Sequence, residues 1–214
     1  FFSGIEALRT TMASSKKKPS ISNALEMKVV LVGAVAVGKT SIVARFTKNT
    51  FGYQDTTIGA SYMAKDIEIN TRRIRFSIWD TAGQEQYHSL VPMYFRQSAA
   101  VILVYDITRR QTFTETKEWV EEIRKNAPED VIIALTGNKC DLEEQREVDA
   151  KDVEEFAAEI GAFHIETSAK TAAGIKDLFD ILGNKFLSKK NLPGPSGMRL
   201  NGSTGASGSG CKCG

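Results

Sequence analysis

An apolar run, VVLV (29–32), passes without a break into GAVAVGKT (33–40), and a helix-compatible stretch, SIVARF (41–46), follows. Strand, glycine-framed loop and helix in that order leave few folding options. The loop fits the G-x-x-x-x-G-K-[ST] pattern, whose backbone N–H groups point inward at phosphate oxygens while the helix N-terminus adds a favourable dipole. Its contacts would come from Gly33, Ala36, Val37, Gly38, Lys39, Thr40 and Ser41. Lys39 would bridge the β- and γ-phosphates, and the Thr40 hydroxyl would coordinate Mg²⁺. A ligand-free strand-to-helix turn is the plainer alternative, and the flanking elements weigh against it. Val35 is the odd member, a β-branched residue where a phosphate-wrapping turn favours a small one.

Two further continuous apolar runs, VILVY (101–105) and VIIAL (131–135), suit parallel strands covered on both faces. Helical stripes alternate with them: Val153, Phe156, Ala157 and Ile160, then Ile175, Leu178, Phe179 and Leu182, each at i, i+3, i+4 and i+7. Asp149 is the expected N-cap of the first stripe, with Asp152 in its opening turn. Ile67 and Ile69, then Ile74, Phe76 and Ile78, alternate with polar residues on either side of a turn at 70–72, which predicts an antiparallel hairpin. The pattern predicts one α/β domain over 27–187, its ligand crevice at the carboxyl ends of the strands. Residues 1–26 read as a mobile arm, with Met12 the natural start and 1–11 upstream sequence. The lysines at 16–18 read as a solvated run, with membrane contact the alternative. Residues 188–214, rich in Gly, Ser and Pro, read as a flexible tether with a coil span of about 25–30 Å.

With 28 Lys and Arg against 26 Asp and Glu, the chain lacks the basic excess of a nucleic-acid binder, so nucleic acid is not an expected partner. Three cysteines make no disulfide framework and point to a reducing compartment. No apolar run approaches the roughly 20 residues that span a bilayer. Ala13 after Met12 gives no N-myristoylation signal. His88 and His164 lack a matched nucleophile or metal set, and Cys140 reads as a small packing residue.

NKCD (138–141) selects the base. A carboxylate at Asp141 can accept from both N1–H and N2–H₂ of guanine, whereas adenine offers no such donor pair and would leave it unpaired. Asn138 and Lys139 belong to the same reader, and TSAK (167–170) adds Ser168, Lys170 and the Ala169 N–H, directed at guanine O6.

GAVAVGKT, WDTAGQE (79–85), NKCD and ETSAK, in this order and spacing, resemble the Ras-superfamily small GTPases. IGASY, YHSLVPMYFR and LVYDIT are similar to Rabs, especially the early-endosomal subgroup. The resemblance implies a single P-loop GTPase domain: a mostly parallel six-stranded sheet with one antiparallel strand and helices on both faces. It implies that Thr57 reaches Mg²⁺ and the γ-phosphate in the GTP state, that Asp80 holds Mg²⁺ through water and that the Gly83 N–H meets the γ-phosphate. Gln84 would position the attacking water, and Lys39 and Thr57 would complete the catalytic set. Phe51 would pack edge-on to guanine and the Lys139 stem along its face. Tyr62, Trp79 and Tyr94 would present the nucleotide state to effectors, partial core packing being the plainer reading of the two tyrosines; Trp79, at a strand end, could do both jobs. Cys211 and Cys213 resemble tails carrying two geranylgeranyl groups, although Lys212 spoils a C-a-a-X box and Gly214 follows.

The implied protein is a monomeric GTP/GDP switch for vesicle transport on the cytoplasmic face of endosomal membranes, exchanging with cytosol. Its partners would be an exchange factor, a GTPase-activating protein, an escort or GDI-type chaperone, and effectors. Several positions depart from the family pattern. Phe51 to Thr57 is one residue shorter than usual, which makes Thr56 the alternative to Thr57; Gln86 replaces a common arginine and Tyr62 a common phenylalanine. Val35 would crowd Gln84 and slow hydrolysis, so a long-lived GTP-bound membrane mark is the second reading. A metabolic P-loop phosphotransferase is the third, opposed by DTAGQE and by the guanine reader.

Overall fold

The computed structural model describes residues 24–83 and 91–190. Gln84, Gln86, His88, the lysines at 16–18, Cys211 and Cys213 lie outside the described residues.

Six strands form one sheet in the order β2-β3-β1-β4-β5-β6. They are β1 (Leu25–Val32), β2 (Ala60–Ile69), β3 (Arg72–Thr81), β4 (Ala100–Asp106), β5 (Ile132–Asn138) and β6 (Phe163–Thr167). All neighbours pair in parallel except β2 with β3, the expected hairpin, where Ile69 opposes Arg72. Its turn is made by Asn70 and Thr71, both with positive φ, the conformation that lets a two-residue turn follow the strand twist.

Alternate side chains of the central strands feed two cores. Val29, Leu31, Ile102 and Val104 face α1 (Lys39–Lys48) and α6 (Ile175–Lys189), where Phe46 stacks on Phe179 at 3.5 Å. Val30, Val32, Val101 and Leu103 face the other way, toward α2 (Val91–Phe95), α3 (Arg110–Thr114), α4 (Thr116–Asn126) and α5 (Ala150–Ile160). Each large apolar side chain buried in this way contributes roughly 1.5–3 kcal/mol. Burial on both faces is why those strands read as unbroken apolar runs. Asp149 caps α5 by accepting from the Lys151 N–H at 2.8 Å.

Several boundaries differ from the sequence reading. The first strand begins at Leu25, ahead of the 29–32 run, and α6 runs on to Lys189, past the 175–182 stripe. Helix α1 extends past 41–46 at both ends, stopping where Asn49 turns left-handed. Val131 stands just outside β5, whereas Asn138, expected in the loop, is its last residue. Trp79 lies inside β3, followed by Asp80 and Thr81, and not at the strand end.

Strand β1 lies between β3 and β4: the connection leaving β1 runs to the β2–β3 side of the sheet, and the connection leaving β3 crosses back over β1 to β4 on the other side. The carboxyl end of β1 is therefore the switch point where an open α/β sheet makes a crevice.

Candidate functional site

A cavity of about 410 Å³ opens at that switch point. Its wall includes residues of the 33–40 loop, Phe51, Thr56, Thr57, Gly83, Asn138, Lys139, Asp141, Ala169 and Lys170, so one space joins segments far apart in the chain. Two glycines let the loop fit. At Gly33, φ is 137° and a Cβ would stand 2.1 Å from the Val104 carbonyl oxygen; at Gly38, φ is 99° and a Cβ would meet Asn138 Nδ2 at 2.3 Å. Val35 does not occupy the tight backbone position. The left-handed residue is Ala36, at φ 61°, while Val35 lines the cavity and is 46% exposed. The loop backbone therefore accommodates the valine, whose effect is confined to its side chain. The Val37 side chain is buried in the core, and Ser41 lines the cavity.

Lys39 is almost fully buried, its Nζ donating to the carbonyls of Gly33 (2.6 Å) and Ala34 (2.8 Å). Burial lowers its pKa to about 8, against the opposing pull of Asp80. A phosphate anion beside the ammonium favours the charged form, so nucleotide binding should raise this pKa. Protonation then favours binding below about pH 8, and affinity falls as pH climbs past it. Calorimetric titration of GDP at pH 8 in buffers of different ionisation enthalpy should show net proton uptake. Binding with no proton exchange would contradict this account.

Asp80 is buried, its carboxyl pushed up by that burial while the Thr40 hydrogen bond and Lys39 pull it down. Its Oδ2 accepts from Thr40 Oγ1 at 2.7 Å, and Thr40 Oγ1 lies 3.0 Å from Thr57 Oγ1. Among the described residues, Asp80 Oδ1 is buried with no hydrogen-bond partner. A buried carboxylate oxygen left unsatisfied among hydroxyls is a fit for a hard divalent cation with oxygen ligands. Thr57 is the threonine gathered here; Thr56 also lines the cavity but is exposed. At Gly83, a Cβ would lie 2.6 Å from the Ala34 carbonyl oxygen, so only glycine allows this approach to the phosphate loop.

At the other end, the Asp141 side chain is 14% exposed, with Ser168 Oγ donating to Oδ1 at 2.5 Å and Lys170 Nζ 3.8 Å from Oδ2. Lys139 has a left-handed φ of 70°, and its Nζ reaches the buried Asp106 at 2.6 Å. Asn138 behaves differently from a base contact. Its Nδ2 donates to the Val37 carbonyl at 2.8 Å, and its Oδ1 accepts from Thr167 Oγ1 (3.2 Å) and the Ala169 N–H (3.3 Å). It straps the phosphate loop to the TSAK loop, and the Ala169 N–H expected at guanine O6 takes part in that strap. Phe51 is half exposed, with the Arg45 guanidinium 6.0 Å over its ring.

Three site residues escaped the sequence reading. Arg45 donates to the carbonyls of Ala169 (2.8 Å) and Lys170 (3.0 Å), and Asp106 and Arg109 meet behind the cavity. Arg45 sits on the polar side of α1 in no short motif, so only the folded chain shows what it reaches. On the hairpin, Tyr62 opposes Trp79 in register with ring centroids 5.4 Å apart, and Trp79 and Tyr94 follow at 5.3 Å. Tyr62 is 53% exposed, while Trp79 and Tyr94 pack partly on the second core.

A glycine-framed loop of the phosphate-wrapping pattern at a sheet switch point, sharing one cavity with the NKCD and TSAK segments, marks a nucleotide-binding α/β protein. A model of the Ras family matches residues 28–188. The chain is 46% identical over 181 residues to the mouse Ras-related protein Rab-31, covering 84% of this chain and 89% of the mouse protein. It is 44% identical over 179 residues to the Ras-related protein Rab5 of Nicotiana tabacum (83% and 90% covered), and 41% identical over 203 residues to RABF2a of Arabidopsis thaliana (94% and 99%). The chain belongs to the Ras family, as a Rab-type small GTPase that binds guanine nucleotide and hydrolyses GTP to GDP and phosphate.

Proposed function

We propose that this GTPase is a membrane-bound timer of early-endosomal vesicle transport, recruiting effectors in its GTP state. The observation that carries the reading is the convergence of Lys39, Thr40, Thr57 and Asp80 at the cavity, with Asp80 next to Trp79 on β3 and Trp79 the middle ring of the Tyr62–Trp79–Tyr94 stack. A contact that orders Thr57 would act on the strand that carries Tyr62, because Ala60 begins β2 a few residues later. Loss of the γ-phosphate releases such a segment.

Thr40, Thr57 and Asp80 would hold Mg²⁺, which when bound neutralises phosphate charge. Lys39 would grip the phosphates, the Gly83 N–H would meet the γ-phosphate, and Gln84 would orient the attacking water. Asp141 would read the base, with Phe51 against its edge and the Lys139 stem along its face. Regulators of the usual kinds, an exchange factor, a GTPase-activating protein and a GDI-type chaperone, would drive the cycle of a monomer.

Among the described residues no helix is long and apolar enough to cross a membrane, so attachment would come from prenyl groups on Cys211 and Cys213. A single lipid chain gives only marginal binding. The tagged full chain should therefore mark endosomal membranes, while Cys211→Ser with Cys213→Ser should be diffuse and either single variant weakly retained. Endosomal retention of the double variant would end the prenyl account.

The second reading, a GTP-bound mark that hydrolyses very slowly, is favoured by the Val35 side chain on the cavity wall.

A further inference from the structure

Asp106 ends β4 fully buried, and its carboxylate gathers three other residues. Lys139 Nζ lies 2.6 Å from Oδ2 and Arg109 Nε 3.0 Å from the same oxygen. The Thr108 hydroxyl and N–H donate to Oδ1 at 2.7 and 3.0 Å. Burial works against ionisation here, but the hydrogen bonds from Lys139 and Thr108 outweigh it and hold the carboxyl below its ordinary range. The Arg109 guanidinium then continues to the phosphate loop, where Nη2 donates to the Val35 carbonyl at 3.1 Å. A polar path, Val35–Arg109–Asp106–Lys139, thus joins the phosphate and base ends of the site from behind.

Lys139 alone already neutralises Asp106, so a second cation is not needed to keep the buried carboxylate ionised. What Arg109 adds is the bond to Val35. The Val35–Ala36 peptide is planar and trans, so its carbonyl and the Ala36 N–H point in opposite directions. With the Val35 carbonyl engaged by Arg109, the Ala36 N–H is turned the opposite way, and both residues line the cavity. The planar guanidinium can serve a carboxylate and a carbonyl at once, which a single ammonium cannot do in the same geometry.

We infer that Arg109 is a positioning residue, a latch that holds the Val35–Ala36 peptide against the phosphates and ties it through Asp106 to Lys139, and so slows release of bound guanine nucleotide. This rests on guanine nucleotide occupying the cavity.

The test is dissociation of fluorescent GDP from the full chain with Mg²⁺ present, for the unaltered protein, Arg109→Ala, Arg109→Lys, Asp106→Asn and the Asp106→Asn/Arg109→Ala pair. Arg109 is 43% exposed, which discounts its bonds. Arg109→Ala should accelerate release on the order of tenfold, or about 1.4 kcal/mol, and Arg109→Lys should fall between. In the Asp106→Asn background the added effect of Arg109→Ala should shrink to roughly twofold or less, because the latch has already lost its anchor. A merely structural arginine would give the same factor in both backgrounds, and that result overturns the inference. So does release from Arg109→Ala at the unaltered rate; if that variant lacks native circular dichroism, an unaltered rate for Arg109→Lys overturns it instead. Failure of the unaltered chain to retain GDP would overturn the occupancy of the cavity itself, which reads out separately from equal rates.

Discussion

Asp141→Ala should weaken GDP and GTP binding by at least about a hundredfold and bring guanine affinity close to that of adenine nucleotides. Hydrogen bonds to a charged group contribute about 1.5–3 kcal/mol each, and two would be lost together. The structure sets up this large effect by sheltering the carboxylate. The Asp141 side chain is 14% exposed, Ser168 fixes one of its oxygens, and Lys170 stands beside the other. An adenine nucleotide facing that carboxylate leaves it unpaired, so discrimination comes largely from a penalty on the wrong base. Competition of GDP, GTP and ATP against a fluorescent guanine nucleotide measures both quantities. A guanine-to-adenine ratio unchanged by the substitution would remove Asp141 from its role.

Val35→Ser should raise single-turnover GTP hydrolysis by about a hundredfold, the order of effect expected when a reacting geometry is displaced by 1 Å. That factor is close to 2.7 kcal/mol of barrier. Affinity should change little. The loop would grip phosphate through backbone N–H groups and Lys39, and its left-handed turn is at Ala36 rather than Val35. Val35 on the cavity wall would then act on the space needed by the attacking water and by any group a partner inserts. Equal hydrolysis rates for the two proteins would reject crowding, and with it the long-lived GTP mark.

Much of this was readable because the chemistry is local. Gly33, Gly38, Lys39 and Thr40 lie within one strand–loop–helix unit, and the backbone conformation that such a unit requires is written in its glycines. The strand runs were equally legible, since burial on two faces suppresses alternation, and the hairpin was legible because burial on one face enforces it. The choice between Thr56 and Thr57 was not legible. Both are hydroxyl residues on one loop, and only the folded chain places Thr57 Oγ1 at 3.0 Å from Thr40 while Thr56 is exposed.

Asn138 marks the same boundary. Its place in NKCD suggests contact with the base, but its amide straps two loops together through Val37 and Ala169. Arg45 and Arg109 belong to no quoted motif, and LVYDIT gives Asp106 no site role, because the Ala169, Val35 and Lys139 partners of these residues lie on other segments of the chain.

The sequence alone determined the family and the class of ligand, since phosphate and guanine each call for particular residue types at short, fixed spacings. Tertiary structure decided which hydroxyl, which carbonyl and which second cation take part. Those choices depend on distances between strands β1, β3, β4 and β5, and no local spacing encodes the separation of segments that only packing brings together.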